Sequence, residues 1–182
     1  MLVTLIAHTN DPEKTIAAAA KLCYSDAHIE TLLDGLTPEK TAAFLQKLND
    51  FGHASPIEHA SFTFGIEGVS RTFLAQVTRH RIASFSVQSQ RYVRLDDFRY
   101  VVPPEIEAIP EAKEAFLASM EEDAKRYLDL AHKLEEGHTA RLMAEGMPEK
   151  QARAKASKQA NEDARFVLPN ACETKICLLY TS

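Results

Sequence analysis

Residues 71–95 read RTFLAQVTRHRIASFSVQSQRYVRL. The stretch contains no aspartate, glutamate or lysine, and its five arginines are Arg71, Arg79, Arg81, Arg91 and Arg94. The arginine side chain presents a planar fork of donors that binds phosphate or carboxylate through two hydrogen bonds, whereas lysine presents a mobile point charge. Because no acidic residue within the stretch balances these charges, a specific phosphate or carboxylate ligand is favoured over a solvated cationic face.

The rest of the 182-residue chain is acidic. The formal net charge is −5 even though this one stretch adds five positive charges. An acidic protein repels polyanions while a local cationic pocket still attracts a small anion, so binding to nucleic acid or to an anionic membrane is not expected. The hydrophobic content of 45% is ordinary for a globular domain.

Cysteine and histidine patterns bear on compartment and metals. The three cysteines, Cys23, Cys172 and Cys177, form no CxxC pair, which predicts neither a disulfide framework nor a zinc site and favours a reducing cytoplasm. The histidines of HASPIEH at 53–59 do not have HExxH spacing, so no metal is expected there. The N-terminus lacks a basic signal-peptide region, and no apolar run reaches membrane-spanning length.

Apolar periodicity and helix-start signals predict an α+β fold, with a small sheet flanked by long helices in a single domain. Strands are expected at 2–8 and 61–67, and helices at about 12–24, 38–51, 70–80, 110–136 and 148–167. The serine- and glutamine-rich residues after the RHR triplet are expected to form a loop, and residues 91–102 an extended segment. No GxGxxG or GxxxxGK[ST] motif indicates a dinucleotide-binding or P-loop fold.

Three segments carry a family resemblance. RHR at 79–81 is followed by seven residues and Ser89, then by QRY at 90–92; HASPIEH lies at 53–59 before a strand with alternating phenylalanines; and EDARFVLPN lies at 162–170. Up to Ile176, the chain resembles the flavin-dependent thymidylate synthases.

The resemblance implies an enzyme that methylates dUMP to dTMP. Methylenetetrahydrofolate would be the carbon donor, FAD the hydride carrier and NADPH the reductant, in a homotetramer whose sites are shared between subunits. The residues implied to bind FAD are Ser55, Arg79, His80, Arg81 and Val87. Those implied to bind dUMP are Gln76, Arg79, Val87, Gln88, Ser89, Gln90, Arg91 and Arg165. We also place His53 and Tyr92 beside the folate, where an imidazole and an aromatic face suit a pterin.

The family pattern continues with an Asn-Ala-Arg motif that binds FAD and with a helical arginine that polarises the pyrimidine. Neither occurs in this chain, so no catalytic residue is assigned before Ile176, and the chain alone is expected to be inactive. Residues 177–182, CLLYTS, resemble the translation of an adapter used in sequencing libraries. We therefore predict an incomplete synthase domain at 1–176 and a non-native tail at 177–182.

Two other functions fit the residues. The first is a nucleotide- or single-strand-RNA-binding module, with phosphate contacts from Arg79, Arg81 and Arg91 and stacking on Phe85 and Tyr92. The second is an inactive remnant that persists as an oligomer. The simplest alternatives for single residues are that Gln76 is an exposed helix residue and that Arg165 is a surface cation.

Overall fold

A computed structural model describes residues 1–90 and 99–181 of the chain. The predicted site residues Arg91 and Tyr92 therefore lie outside the described residues. The chain forms two compact units, of which the first comprises Met1–Glu67, Thr78–Ser86 and Ile176–Ser182 and the second comprises Gly68–Val77 and Val87–Lys175.

A small sheet is built from four strands in the order β1-β2-β4-β3. The strands are β1 (Leu2–His8), β2 (Ser61–Ser70), β3 (Ala83–Val87) and β4 (Glu173–Thr181). The β1 and β2 strands are antiparallel, and the register shifts between Leu5 and Ala7. A Cβ atom added to Gly65 of β2 would lie 3.2 Å from Ile6 Cδ1, so glycine suits this close approach between the strands.

The predicted strands at 2–8 and 61–67 are confirmed. The loop prediction after the RHR triplet was wrong over 83–87, which form β3. There Ala83, Phe85 and Val87 are partly buried while Ser84 and Ser86 are exposed, and this alternation matches the two-residue period of a strand. The β4 strand was not predicted, and it includes residues 177–181 of the predicted tail.

Three helices complete the first unit: α1 (Pro12–Leu22), α2 (Ile29–Asp34) and α3 (Pro38–Asp50). Both predicted helix starts are confirmed, since the side chains of Asp11 and Thr37 accept hydrogen bonds from the backbone N–H groups of Lys14 and Lys40. The α2 helix was missed because it is only six residues long and has no side-chain cap. A 3-10 helix at Ser55–His59 precedes β2.

The second unit contains α4 (Arg71–Val77), α5 (Pro104–Glu107), α6 (Pro110–Ala144) and α7 (Glu149–Ala164), followed by a 3-10 helix at Arg165–Val167. The predicted cap of α4 is confirmed, because Phe73 N donates to Ser70 Oγ at 3.1 Å. The helix ends at Val77, however, three residues before the predicted end at 80. The α6 helix runs past its predicted end near 136, and Thr139 and Leu142 are buried in the added part.

The long helices α6 and α7 pack against each other. Along α7, four fully buried alanines are spaced by one helical turn: Ala152, Ala156, Ala160 and Ala164. Small side chains at i, i+4 spacing let two helices approach closely. Tyr127 and Ala131 of α6 pack with Ala164 in the core of this hairpin. The predicted α+β class, with a small sheet and long helices, is confirmed.

Candidate nucleotide site

A turn after α7 organises the candidate site in the second unit. Leu168 N donates to Arg165 O at 3.1 Å, and Cys172 N donates to Pro169 O at 3.0 Å. These bonds fix the backbone that leads from the 3-10 helix into β4. Arg165 is therefore presented by a hydrogen-bonded turn rather than by the exposed face of a long helix.

The start of α4 is bonded to the same turn. Arg71 N donates to Cys172 O at 3.0 Å, and Thr72 N donates to Asn170 O at 3.1 Å. The two bonds join residues about one hundred positions apart in the sequence, which no local pattern could reveal. They place Arg71 beside the segment that carries Arg165 and Asn170.

Two further segments pair with the same stretch of chain. Val101 N donates to Ala171 O, and Glu173 N donates to Arg99 O, each at 2.9 Å. Gln88 N donates to Lys175 O at 3.0 Å, which anchors the segment leading to Gln90. Residues 165–175 thus align the start of α4 and the Gln88–Gln90 segment along one continuous backbone.

A cavity of about 400 Å³ lies at this junction. It is lined by Arg71, Gln90, Arg165, Phe166, Leu168, Pro169 and Asn170. Arg165 also contacts Glu162, with a guanidinium nitrogen 3.8 Å from the carboxylate oxygen, and 35% of its side chain is exposed. Two guanidinium groups and two amide side chains provide the donors that bind a phosphomonoester.

The cavity brings together two of the predicted dUMP residues, Gln90 and Arg165. Val87, Gln88 and Ser89 precede Gln90 and are partly buried. Gln76 is exposed on α4 and is not one of the residues that line the cavity. The roles given to these residues remain predictions.

Arg71 is the charged cavity residue that the sequence did not assign to a site. It was noted only as one of five arginines in the basic stretch. Charge alone could not distinguish Arg71 from Arg94. What places Arg71 at the cavity is the hydrogen bond between its backbone N–H and Cys172 O. The available signal was the absence of a local acidic partner within residues 71–95.

Four of the residues predicted to bind FAD lie in the first unit. Ser55 begins the 3-10 helix before β2, and Arg79, His80 and Arg81 follow the end of α4 in the chain. All four are exposed. The fifth residue, Val87, belongs to the second unit. Hydroxyl, guanidinium and imidazole groups are suitable donors for the pyrophosphate of a flavin dinucleotide, so the four residues of the first unit fit the cofactor chemically.

His53, predicted to contact the folate, lies just before that 3-10 helix. Its ring meets the ring of Phe51 edge to face, with centroids 6.4 Å apart and planes at 90°. Both residues are exposed. An exposed imidazole next to an aromatic ring is compatible with contact to a flat heterocycle.

Cys172 lies at the centre of the turn that supports the cavity. It is fully buried, and burial raises the pKa of its thiol to about 11. The positive charge of Arg71 opposes this shift of the pKa without cancelling it. A buried thiol of high pKa is a poor nucleophile, so a structural role fits Cys172 better than a chemical one.

Across 1–90 and 99–181, no three histidine, cysteine or acidic side chains come together as metal ligands. None of the helices in that part of the chain is both long and apolar enough to span a membrane.

Comparison with known proteins identifies the family. The sequence profile described as "Thymidylate synthase complementing protein" matches residues 4–180. The chain belongs to this family. The resemblance drawn from the RHR motif and its flanking segments is thereby confirmed.

Curated members of the family are similar over nearly the whole chain. The flavin-dependent thymidylate synthase of Clostridium tetani is 50% identical over 174 residues, which are 96% of this chain and 67% of that protein. The synthase of Geobacter sulfurreducens is 44% identical over 178 residues, which are 97% of this chain and 66% of that protein. The chain thus spans about two thirds of the length of these relatives.

Solved structures share the fold. Thymidylate synthase X from Helicobacter pylori, determined with FAD and dUMP, matches with a TM-score of 0.56 at 21% identity. The match covers all of this chain and 79% of the Helicobacter pylori chain. The UMP/dUMP methylase PolB from Streptomyces cacaoi, bound with 5-Br dUMP, matches with a TM-score of 0.59 at 20% identity, over 99% of this chain and 72% of its own. At these identities the two matches show that this chain shares their fold.

Proposed function

We propose that the protein carrying this chain is a thymidylate synthase that methylates dUMP to dTMP. Methylenetetrahydrofolate is the carbon donor, and NADPH is the reductant. FAD, when bound, supplies hydride chemistry. The observation that carries the proposal is the cavity in which Arg71, Arg165 and Gln90 converge, in a chain of the thymidylate synthase complementing protein family.

The phosphate of dUMP lies between Arg71 and Arg165 in this proposal. Both guanidinium groups line one cavity, and a phosphomonoester has enough acceptor oxygens for both. Glu162 lies 3.8 Å from the Arg165 guanidinium, and a partly exposed ion pair of this kind orients the side chain only weakly. Ser89, Gln90 and Arg91 complete the phosphate contacts. Gln88 comes directly after β3 and is anchored by its backbone hydrogen bond to Lys175 O.

Ser55, Arg79, His80, Arg81 and Val87 hold FAD, with Val87 acting through its backbone or by packing. Gln76 and Arg79 contact the nucleotide, while His53 and Tyr92 orient the folate. The complexes of the Helicobacter pylori enzyme with FAD and dUMP support this choice of ligands. NADPH and the folate rest on the family resemblance.

We further propose that the protein works as a cytoplasmic homotetramer with sites shared between subunits. Support for self-association comes from β1, where Leu2, Val3, Leu5 and Ile6 are between 49% and 60% exposed. An apolar strand at the edge of a sheet is prone to pair with another chain.

We also propose that the synthase domain comprises residues 1–176 and that 177–182 are a foreign tail. Resequencing of the source DNA after the codon for Ile176 tests this boundary.

The activity is tested with the full-length protein purified with FAD. We expect dTMP to form only when dUMP, methylenetetrahydrofolate and NADPH are all present. A flavin-loaded protein that forms no dTMP would contradict the synthase. A colourless protein that binds single-stranded RNA with steep salt dependence would favour the binding module instead.

A further inference from the structure

Among the aromatic side chains of the second unit that the structure describes, Phe166 is the most exposed, and it lies at the nucleotide cavity. Phe166 follows Arg165 in the 3-10 helix at Arg165–Val167, and 84% of its surface is exposed. It also lines the cavity with Arg71 and Arg165. A phenylalanine held in water next to two guanidinium groups leaves a large apolar surface uncovered.

The cavity has two chemically different parts. Arg71, Arg165, Gln90 and Asn170 offer donors for an anion, whereas Phe166, Leu168 and Pro169 offer apolar surface. Inorganic phosphate would use only the first part. A ligand in which a phosphate is joined to a flat ring would use both, and a nucleoside monophosphate has this composition.

The local backbone holds Phe166 in place. Leu168 N donates to Arg165 O across the 3-10 turn, and Leu168 itself packs against the core formed by Tyr127, Ala131 and Ala164. The backbone on both sides of Phe166 is therefore restrained although its ring is exposed. With the backbone fixed, only the two side-chain torsions of Phe166 have to be ordered when a ligand covers the ring, which keeps the entropy cost low.

We propose that Phe166 is a specificity-determining residue of the nucleotide site, whose ring covers the pyrimidine of dUMP while Arg71 and Arg165 hold the phosphate. The inference rests on the proposed function, because it assumes that dUMP occupies this cavity. Contact between a base and an aromatic ring tolerates different bases but requires that a base be present. Phe166 thus selects a nucleotide over other phosphate esters of similar charge.

The test compares two ligands on three forms of the full-length protein: wild type, Phe166→Ala and Phe166→Tyr. Calorimetry measures the dissociation constants of dUMP and of 2-deoxyribose 5-phosphate, which has the phosphate and sugar but no base. Phe166→Ala should weaken dUMP binding by about ten-fold or more and leave the base-free ligand unchanged. Phe166→Tyr should retain the affinity for dUMP.

Several results would overturn the inference. One is an unchanged dUMP affinity in Phe166→Ala, and another is an equal loss for both ligands. A third is a fall in oligomeric mass at unchanged dUMP affinity, which would assign Phe166 to a subunit contact. If the wild-type protein also fails to bind dUMP, the proposed function itself is refuted. Failure of the Phe166 role and failure of the proposed function are therefore distinguishable. Circular dichroism of each variant checks that the fold is retained.

Discussion

The backbone N–H of Arg71 donates a 3.0 Å hydrogen bond to the carbonyl oxygen of Cys172. This bond joins the first residue of α4 to the turn that follows Arg165 and Phe166. Two arginines far apart in the sequence thereby line one cavity. The anion site that we propose depends on this tertiary pairing more than on the density of positive charge.

The role of Arg71 is tested with Arg71→Lys. Lysine keeps the positive charge but lacks the planar fork, so dUMP binding should weaken by about ten-fold while FAD remains bound. Calorimetry of the full-length protein gives the dUMP affinity, and the visible spectrum gives the FAD content.

The matched control for this change is Arg126→Lys. Arg126 lies on α6 and contacts Glu122 at 3.1 Å, and 65% of its side chain is exposed. Its replacement should leave dUMP affinity unchanged. Equal affinities in wild type and Arg71→Lys would remove Arg71 from the phosphate site.

The α6–α7 interface predicts a large effect at Ala156, which is fully buried beside Leu142 and Ala152. Ala156→Leu would force extra atoms into a close helix contact and should lower the free energy of unfolding by about 1–3 kcal/mol. Ala154→Leu is the control, because Ala154 is exposed on the same helix. Urea denaturation measures both variants, and similar unfolding free energies for the two would show that the interface has room to adjust.

The helix start at Thr37 predicts a smaller effect. Thr37 Oγ1 accepts a hydrogen bond from Lys40 N at 3.4 Å, and Thr37→Ala should lower the free energy of unfolding by about 1 kcal/mol. The pKa of Glu39 is lowered by a hydrogen bond from its own backbone and by one from the Thr37 side chain. In Thr37→Ala the pKa of Glu39 should rise toward its ordinary value, which NMR titration measures. Thr31→Ala is the control, because Thr31 is exposed.

Burial of Cys172 predicts a dependence of stability on alkaline pH. The folded state raises the pKa of the thiol from 9.0 to about 11, so it binds the proton more tightly than the unfolded chain. This contribution to stability is complete below pH 9.0 and is lost as the pH rises toward about 11. Between pH 8 and pH 10 the unfolding free energy of the wild-type protein should therefore fall as the pH rises. The fall should be smaller in Cys172→Ala. The same fall in both proteins would mean that other groups cause it.

The sequence predicted those elements whose signals are local. Pro12 and Pro38 follow capping residues and mark helix starts, and the alternating phenylalanines of β2 mark a strand. Residues 83–87 were mistaken for a loop because serine is common in loops, although the alternation of exposed and partly buried residues there is that of a strand. The α6 helix was predicted to end near 136, while packing of Leu142 against Ala152 and Ala156 of α7 supports its continuation to Ala144.

The candidate site was only partly predictable for the same reason. Gln90 and Arg165 could be assigned by resemblance to a family. Arg71 and Phe166 could not, since their positions depend on hydrogen bonds between residues 71–72 and 170–172 and on the turn at 165–168. Long-range pairing of this kind leaves no periodic pattern in the sequence.

A crystal structure of the full-length protein with dUMP shows whether Arg71 and Arg165 hold the phosphate of the nucleotide. We expect phosphate oxygens within hydrogen-bond distance of both guanidinium groups, in the cavity that Gln90 and Asn170 also line. A nucleotide whose phosphate is bound elsewhere, with this cavity filled only by solvent, would show that Arg71 and Arg165 do not form the phosphate site.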